Sequence, residues 1–170
     1  MMNMYTSIEE VTADLGIEAA LTQKVLDRLT DASLKQAVSE QQARTLGDIA
    51  RHVVMSLKGI FGAGGLQIDV PGLSLTAESS SAEIAEGYRQ VSEAAIAAMK
   101  EQWTDAKLSE DVMLFGAMKM TRSSVVNLIL RHQIHHRGQI TILMRQAGLP
   151  VPGVYGPSEE ENAARQAAQK

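Results

Sequence analysis

Apolar residues recur every three or four positions along four separate segments of this 170-residue chain. That spacing lines one face of an α-helix, so each segment has a stripe that must be buried against another helix. The first segment runs from Ser7 to Thr30 through Ile8, Val11, Leu15, Ala19, Val25 and Leu29. Ser7 with Glu10 three residues later reads as a capping box at its start. Thr45 with Asp48 opens the second segment, which carries Leu46, Ile49, Val53, Leu57 and Ile60 as far as "GAGG", residues 62–65. The third follows Ser80 and Glu83, another cap pair, and runs through Ile84, Tyr88, Val91 and Ala95 to Trp103. The fourth spans Thr121 to Ala147, where Gly148 suits a helix C-cap and Pro150 forbids continuation.

Between these lie a polar connector at 31–44, an irregular crossing loop at 66–79 and a second connector at 104–120. The last contains "DVMLFGAMKM", apolar enough to cover one end of a core. The tail "EEENAARQAAQK" is polar and reads as helical or frayed, and no internal repeat is visible. Little of this looks like strand. The expected fold is all-α: a four-helix bundle in one domain over 1–170, with a long crossover between the second and third helices.

Composition agrees. One Trp, three Tyr and two Phe leave the core to Leu, Ile, Val, Ala and Met, which favours helix-on-helix packing, and the nine methionines are core filler. A net charge of −4 with scattered Lys and Arg argues against a nucleic-acid partner. Without cysteine there is no disulfide, thiolate ligand or cysteine nucleophile, which fits a cytoplasmic protein. The start "MMNMYTSIEE" lacks the basic and apolar regions of a signal peptide, and no apolar run is long enough for a membrane span.

Of the four histidines, three stand within "RHQIHHRGQ", residues 131–139. Val125, Ile129, His132, His136, Ile140 and Leu143 succeed one another at spacings of three and four, so His132 and His136 lie on the buried stripe one turn apart. Two imidazoles so placed can grip one metal ion. His135, rotated by about 100°, faces a flank. A third ligand must come from elsewhere, and the remaining histidine is His52 on the second segment, with small Ser56, Gly59 and Ala63 on its face. Three neutral imidazoles with open positions suit zinc, and also nickel, iron or manganese. Packing or hydrogen-bonding histidines are the alternative reading of the same pattern. A zincin protease is disfavoured because Gln133 stands where its general-base glutamate belongs.

Other residues near the cluster have two readings each. Asp48 can accept a proton from His52 or serve only the helix N-terminus. Gln139 can orient a histidine ring or a bound water. Tyr88 is a core tyrosine or a hydroxyl donor to a cavity. Gly138 permits tight helix packing or the close approach of a ligand. Arg131 and Arg137 are solvated surface residues or steer an anion.

"HQIHHRGQI" resembles the signature helix of the DinB family of metal-dependent bundle proteins. "TLGDIARHV" resembles that family's second helix, and "AGLPVPGVYGP" is similar to the segment after its last helix. The resemblance implies an up-down-down-up bundle, often a homodimer, whose divalent metal is held by His52, His132 and His136, with His135 not a ligand. Zinc or nickel is the first expectation. Some relatives of this fold are thiol-dependent S-transferases using a low-molecular-weight thiol, and others are thiol-dependent isomerases. The expectation is therefore a metal-dependent enzyme of S-transferase type acting on a small molecule. A metal-dependent hydrolase and a non-catalytic dimeric, stress-related metal-binding module are the alternatives.

Overall fold

The computed structural model describes residues 4–169. Helices α1 (Ile8–Leu26), α2 (Leu46–Ala63), α3 (Ser81–Gln102) and α4 (Arg122–Gln146) form the body, and a fifth, α5 (Glu159–Ala168), closes the chain. α2 packs against α4 and α3, and α1 against α3 and α4, so the core is enclosed by four long helices. Val11, Leu15, Val53, Leu57, Ile84, Val91, Val125, Ile129 and Ile140 are among the side chains sealed inside. Each such aliphatic side chain contributes roughly 1.5–3 kcal/mol through removal from water.

The helix starts follow from their caps. Thr45 with Asp48 and Ser80 with Glu83 form complete capping boxes. At α1 only half the expected box forms. Ser7 Oγ accepts from the Glu10 N–H at 3.1 Å, but the Glu10 carboxylate turns back to Thr6 instead. α1 also stops at Leu26, short of Thr30, because Asp27 caps it and the chain turns. At the end of α4, Gly148 takes φ 78°, and the Leu149 N–H reaches the Met144 carbonyl at 2.9 Å. This is a Schellman ending, which Gly148 permits without strain.

The connectors are not plain loops. Residues 31–44 fold into a 3-10 turn (Ser33–Lys35) and strand β1 (Ala37–Ser39), and β2 (Gln42–Thr45) returns antiparallel to it. Residues 104–120 do the same with a turn (Asp105–Ser109), β3 (Asp111–Leu114) and β4 (Met118–Thr121). Each hairpin runs straight into the N-cap threonine of the next helix. The lock is also the same: Leu46 N–H bonds the Gln36 carbonyl at 2.8 Å, and Arg122 N–H bonds the Glu110 carbonyl at 3.1 Å. A helix, turn, hairpin and helix thus occur twice although the sequence shows no repeat. In "DVMLFGAMKM" only Leu114 is fully buried, while Met113, Phe115 and Met118 at the hairpin tip are exposed, so the expected cover over the core is partial.

The segment between α4 and α5 folds back onto α1. Gly153 N–H bonds Glu161 at 2.8 Å, and its carbonyl accepts from Lys24 Nζ at 3.0 Å. A Cβ at this position would fall against the Gly156 carbonyl oxygen and 2.6 Å from Glu161 Oε2. Gly153→Ala is expected to destabilise the protein by about 1–3 kcal/mol, the usual effect of overpacking. Urea unfolding measures this, and faster proteolysis within α5 should accompany it.

Candidate metal centre

His52 is carried by α2, and His132 and His136 by α4, the two helices that pack directly on one another. The N-cap Thr45 sets the start of α2, so that His52 projects toward α4 from two turns inside the helix. His132 Nε2 lies 3.2 Å from His52 Nε2 and 3.2 Å from His136 Nε2. The ring centroids are 4.4–5.0 Å apart. His136 is buried, and His52 and His132 are half-buried, so the cluster sits in the α2–α4 groove with one side toward solvent.

Two of the far nitrogens are held. His136 Nδ1 is 2.7 Å from Gln139 Oε1, which can only accept, so Nδ1 carries the proton and Nε2 presents its lone pair. His132 Nδ1 lies 3.4 Å from the Ser56 hydroxyl, which itself donates to the Val53 carbonyl. Ser56 therefore offers a lone pair to the ring. The Gln133 amide donates to the same Val53 carbonyl at 3.0 Å and is buried between the helices.

Burial is the main reason that all three imidazoles resist protonation. It brings His132 down to about 4, helped by the charges that His136, His52 and His135 would carry. His52 is lowered by burial and then by Arg44. His136 is lowered by burial, against the raising effect of Gln139, and by the charges of His52, His135 and Arg44.

The donor set fits a divalent cation. Imidazole nitrogens about 2.0–2.1 Å from a tetrahedral zinc stand about 3.3 Å apart, close to the two 3.2 Å separations from His132, and all three ligand atoms lie within 4.8 Å of one another. Hydrogen bonding alone does not account for them. One neutral imidazole nitrogen has a proton or a lone pair, and His132 Nε2 approaches two neighbours at once.

Other expected residues fall elsewhere. Asp48 gives Oδ2 to the Thr45 N–H and hydroxyl and Oδ1 to Arg51, and among the described residues it makes no hydrogen bond to His52. It serves the helix start. Tyr88 is sealed in the core with its hydroxyl on Thr22, among the described residues it makes no hydrogen bond to the histidines, and burial pushes it up to about 12. Arg137 is neither solvated nor a steering group. It turns inward to α1, where Nη2 pairs with Glu18 Oε2 at 2.7 Å and Nη1 donates to the Glu18 carbonyl and Thr22 hydroxyl, each at 3.1 Å. Arg131 is exposed, and so is His135, edge-on to His136 at 4.9 Å. Gly138 is also exposed, with open space where a Cβ would stand. Ser56 was visible beforehand only as a small residue on the face of His52. Its place one turn beyond His52 was the available signal for a partner to the facing ring.

The sequence profile of the DinB family matches residues 4–169. The uncharacterized protein YrdA of Bacillus subtilis (strain 168) is 42% identical over 158 residues, covering 93% of each chain. The crystal structure of a DinB-like protein from Bacillus cereus ATCC 10987 superposes with a TM-score of 0.83 at 40% identity, over 89% of this chain and 100% of that one. A second DinB-like protein, YjoA of Bacillus subtilis, shares the fold at 18% identity, with a TM-score of 0.66 over 85% of this chain and 97% of its own. Likeness that extends from end to end, in sequence and in fold alike, means that this chain belongs to the DinB family.

Proposed function

We propose that His52, His132 and His136 hold a divalent metal, zinc or nickel first, and that the protein is a metal-dependent enzyme of thiol S-transferase type acting on a small molecule. The observation that carries this reading is the convergence of three Nε2 atoms, drawn from two helices, on one half-open point. A metal ion held there supplies a Lewis acid that lowers the pKa of a bound thiol or water near neutral pH. The chain's own residues do the rest. Gln139 and Ser56 fix the Nδ1 protons and so aim two lone pairs at the centre. The packed α2–α4 wall keeps bulk water to one side, leaving a single direction of approach.

The bundle topology proposed with this reading is up-down-down-up, supported by α1 and α2 each packing on both α3 and α4. A cytoplasmic homodimer completes it. Met55 on α2 and Ile134 on α4 are exposed apolar side chains that a second copy would cover, and sedimentation equilibrium tests that association. Among the described residues no helix is long and apolar enough to cross a membrane.

Metal analysis of protein purified without an affinity tag tests the centre. About one equivalent of metal is expected in the wild type, and loss of most of it in each of His52→Ala, His132→Ala and His136→Ala. Retention of full metal content by any one of them would remove that residue from the site. Gln139→Ala is expected to keep the metal but weaken its binding about 10- to 100-fold, because the ring of His136 loses its orienting partner. Competition with a chromogenic chelator measures that change.

A further inference from the structure

α2 and α4 pass one another in opposite directions. The Gln133 amide bonds the Val53 carbonyl, Ser56 faces His132, and Gly64 beyond the end of α2 lies against Val125 near the start of α4. Ile49 stands three residues before His52, and Gln139 three residues after His136. Both therefore belong to the next turn of the same groove, about 5 Å along it from the cluster. A cavity of about 230 Å³ occupies that turn. Val38, Ile49, Ile142 and Leu143 supply its apolar walls, and Gln139 and Gln146 supply amides.

The walls restrict what can enter. Among the described residues no ionisable side chain lines the cavity. A charged group inside would lose hydration without gaining a counter-charge, so the occupant is neutral there. Gln139 Oε1 is taken by the Nδ1–H of His136, which leaves Nε2, without a hydrogen bond among the described residues, to donate. The occupant therefore brings an acceptor oxygen beside an apolar body. The volume falls below the range of about 300–1,000 Å³ that encloses a drug-sized ligand, so the cavity takes only part of a molecule. The remainder has the three-histidine cluster within reach, because Gln139 is common to both places. Ile142 is 57% exposed, which leaves the outer side open for entry.

We propose that this cavity is the specificity subsite of the metal centre, and that it takes a short alkyl group of a neutral small-molecule substrate. A carbonyl-type oxygen of that substrate accepts from Gln139 Nε2, and its reacting end lies at the histidines. The proposal rests on the metal-site reading and names the substrate class for it. Gln139 positions two partners, the ring of His136 on one side and the substrate oxygen on the other. Ile142 and Val38 limit the alkyl group that fits.

The test uses the full chain and two pairs of probes. N-butylacetamide and N-methylacetamide report on the cavity in the apo protein. N-butyl mercaptoacetamide and mercaptoacetamide add a thiol that can reach zinc in the loaded protein. The readouts are calorimetric affinity and the NMR shifts of the Gln139 and Gln146 side-chain amides. The butyl member of each pair is expected to shift both amides saturably and to bind at least tenfold more tightly, through burial of its alkyl group. Ile142→Asp, made at an exposed wall position so that folding is spared, should cancel the butyl advantage in both pairs. Ile142→Ala, which only trims the wall, should reduce it about threefold, and an unchanged Tm checks that each variant is folded. Equal binding within the pairs, or a butyl advantage indifferent to Ile142→Asp, would overturn the subsite. A butyl advantage in the apo protein that vanishes between the two thiols on zinc would overturn its link to the metal centre. Zinc uptake by the same samples separates the two readings. Normal uptake with unmoved amide signals ends the subsite alone. Saturable N-butylacetamide binding without zinc uptake ends the metal reading and supports the cavity as a site for alkyl amides.

Discussion

Arg137→Ala is expected to destabilise the protein by about 3–5 kcal/mol, the usual effect of removing one partner of a buried ion pair. Its side chain is only 2% exposed, and its partner Glu18 is 15% exposed. Arg137 also donates to Tyr155, stacks over that ring with 5.0 Å to the centroid, and bonds the Thr22 hydroxyl. Removing the guanidinium leaves the largely enclosed Glu18 carboxylate without its cation and removes one of the ties between α1 and the segment after α4. At about 2–4 °C per kcal/mol for a domain of this size, Tm should fall by roughly 10 °C. The double variant Arg137→Met with Glu18→Gln should recover part of that loss, because the orphaned charge is gone. Tyr155→Phe should lose about 1–2 kcal/mol, because the Tyr155 hydroxyl donates to the Glu18 carboxylate and accepts from Arg137 at a largely exposed position. Thermal and urea unfolding measure all three. An Arg137→Ala protein as stable as wild type would mean that the pair contributes nothing.

Arg137 also shows where sequence reasoning reached and where it stopped. α4 was legible in full, because a single stripe from Val125 to Leu143, a threonine cap and Gly148 set its face and both ends. The same stripe placed His132 and His136, and the scarcity of histidine led to His52. Gln139 followed from its spacing of three from His136. Arg137 was not legible, because its partners Glu18 and Tyr155 lie 119 and 18 residues away, and a charged residue beside a helix stripe looks solvated until those partners are known. Asp48 was ambiguous for a local reason: one carboxylate could serve the cap or the ring, and the Thr45 hydroxyl and Arg51 decide for the cap. The hairpins were hidden because strands of three and four residues with mostly exposed side chains have no alternation to reveal them. Their stability comes from main-chain pairing and from the locks at Leu46 and Arg122, which leave no trace in composition.

Zinc is expected to stabilise the wild-type protein strongly and the His132→Ala variant hardly at all. A ligand present at about 1,000 times its Kd adds roughly 4 kcal/mol, which corresponds to a Tm rise of about 10 °C here. EDTA should reverse it. Acid should act in the same direction on both forms of the protein. The folded-state pKa values of His52, His132 and His136 are all lowered, that of His132 to about 4. Between pH 6.5 and 4 the unfolded chain therefore binds more protons at these sites than the folded one. Their contribution to apo stability is complete above pH 6.5 and is lost as the pH falls through that window. The zinc increment shrinks over the same window, because each imidazole must shed its proton to ligate. The decisive measurement is Tm against pH, with and without zinc, for wild type and His132→Ala. The wild-type curves should converge toward pH 4, and the variant's two curves should coincide throughout. Equal zinc shifts in wild type and variant would place the binding elsewhere, while a zinc increment that persists unchanged at pH 4 would mean that imidazole nitrogens are not the ligands.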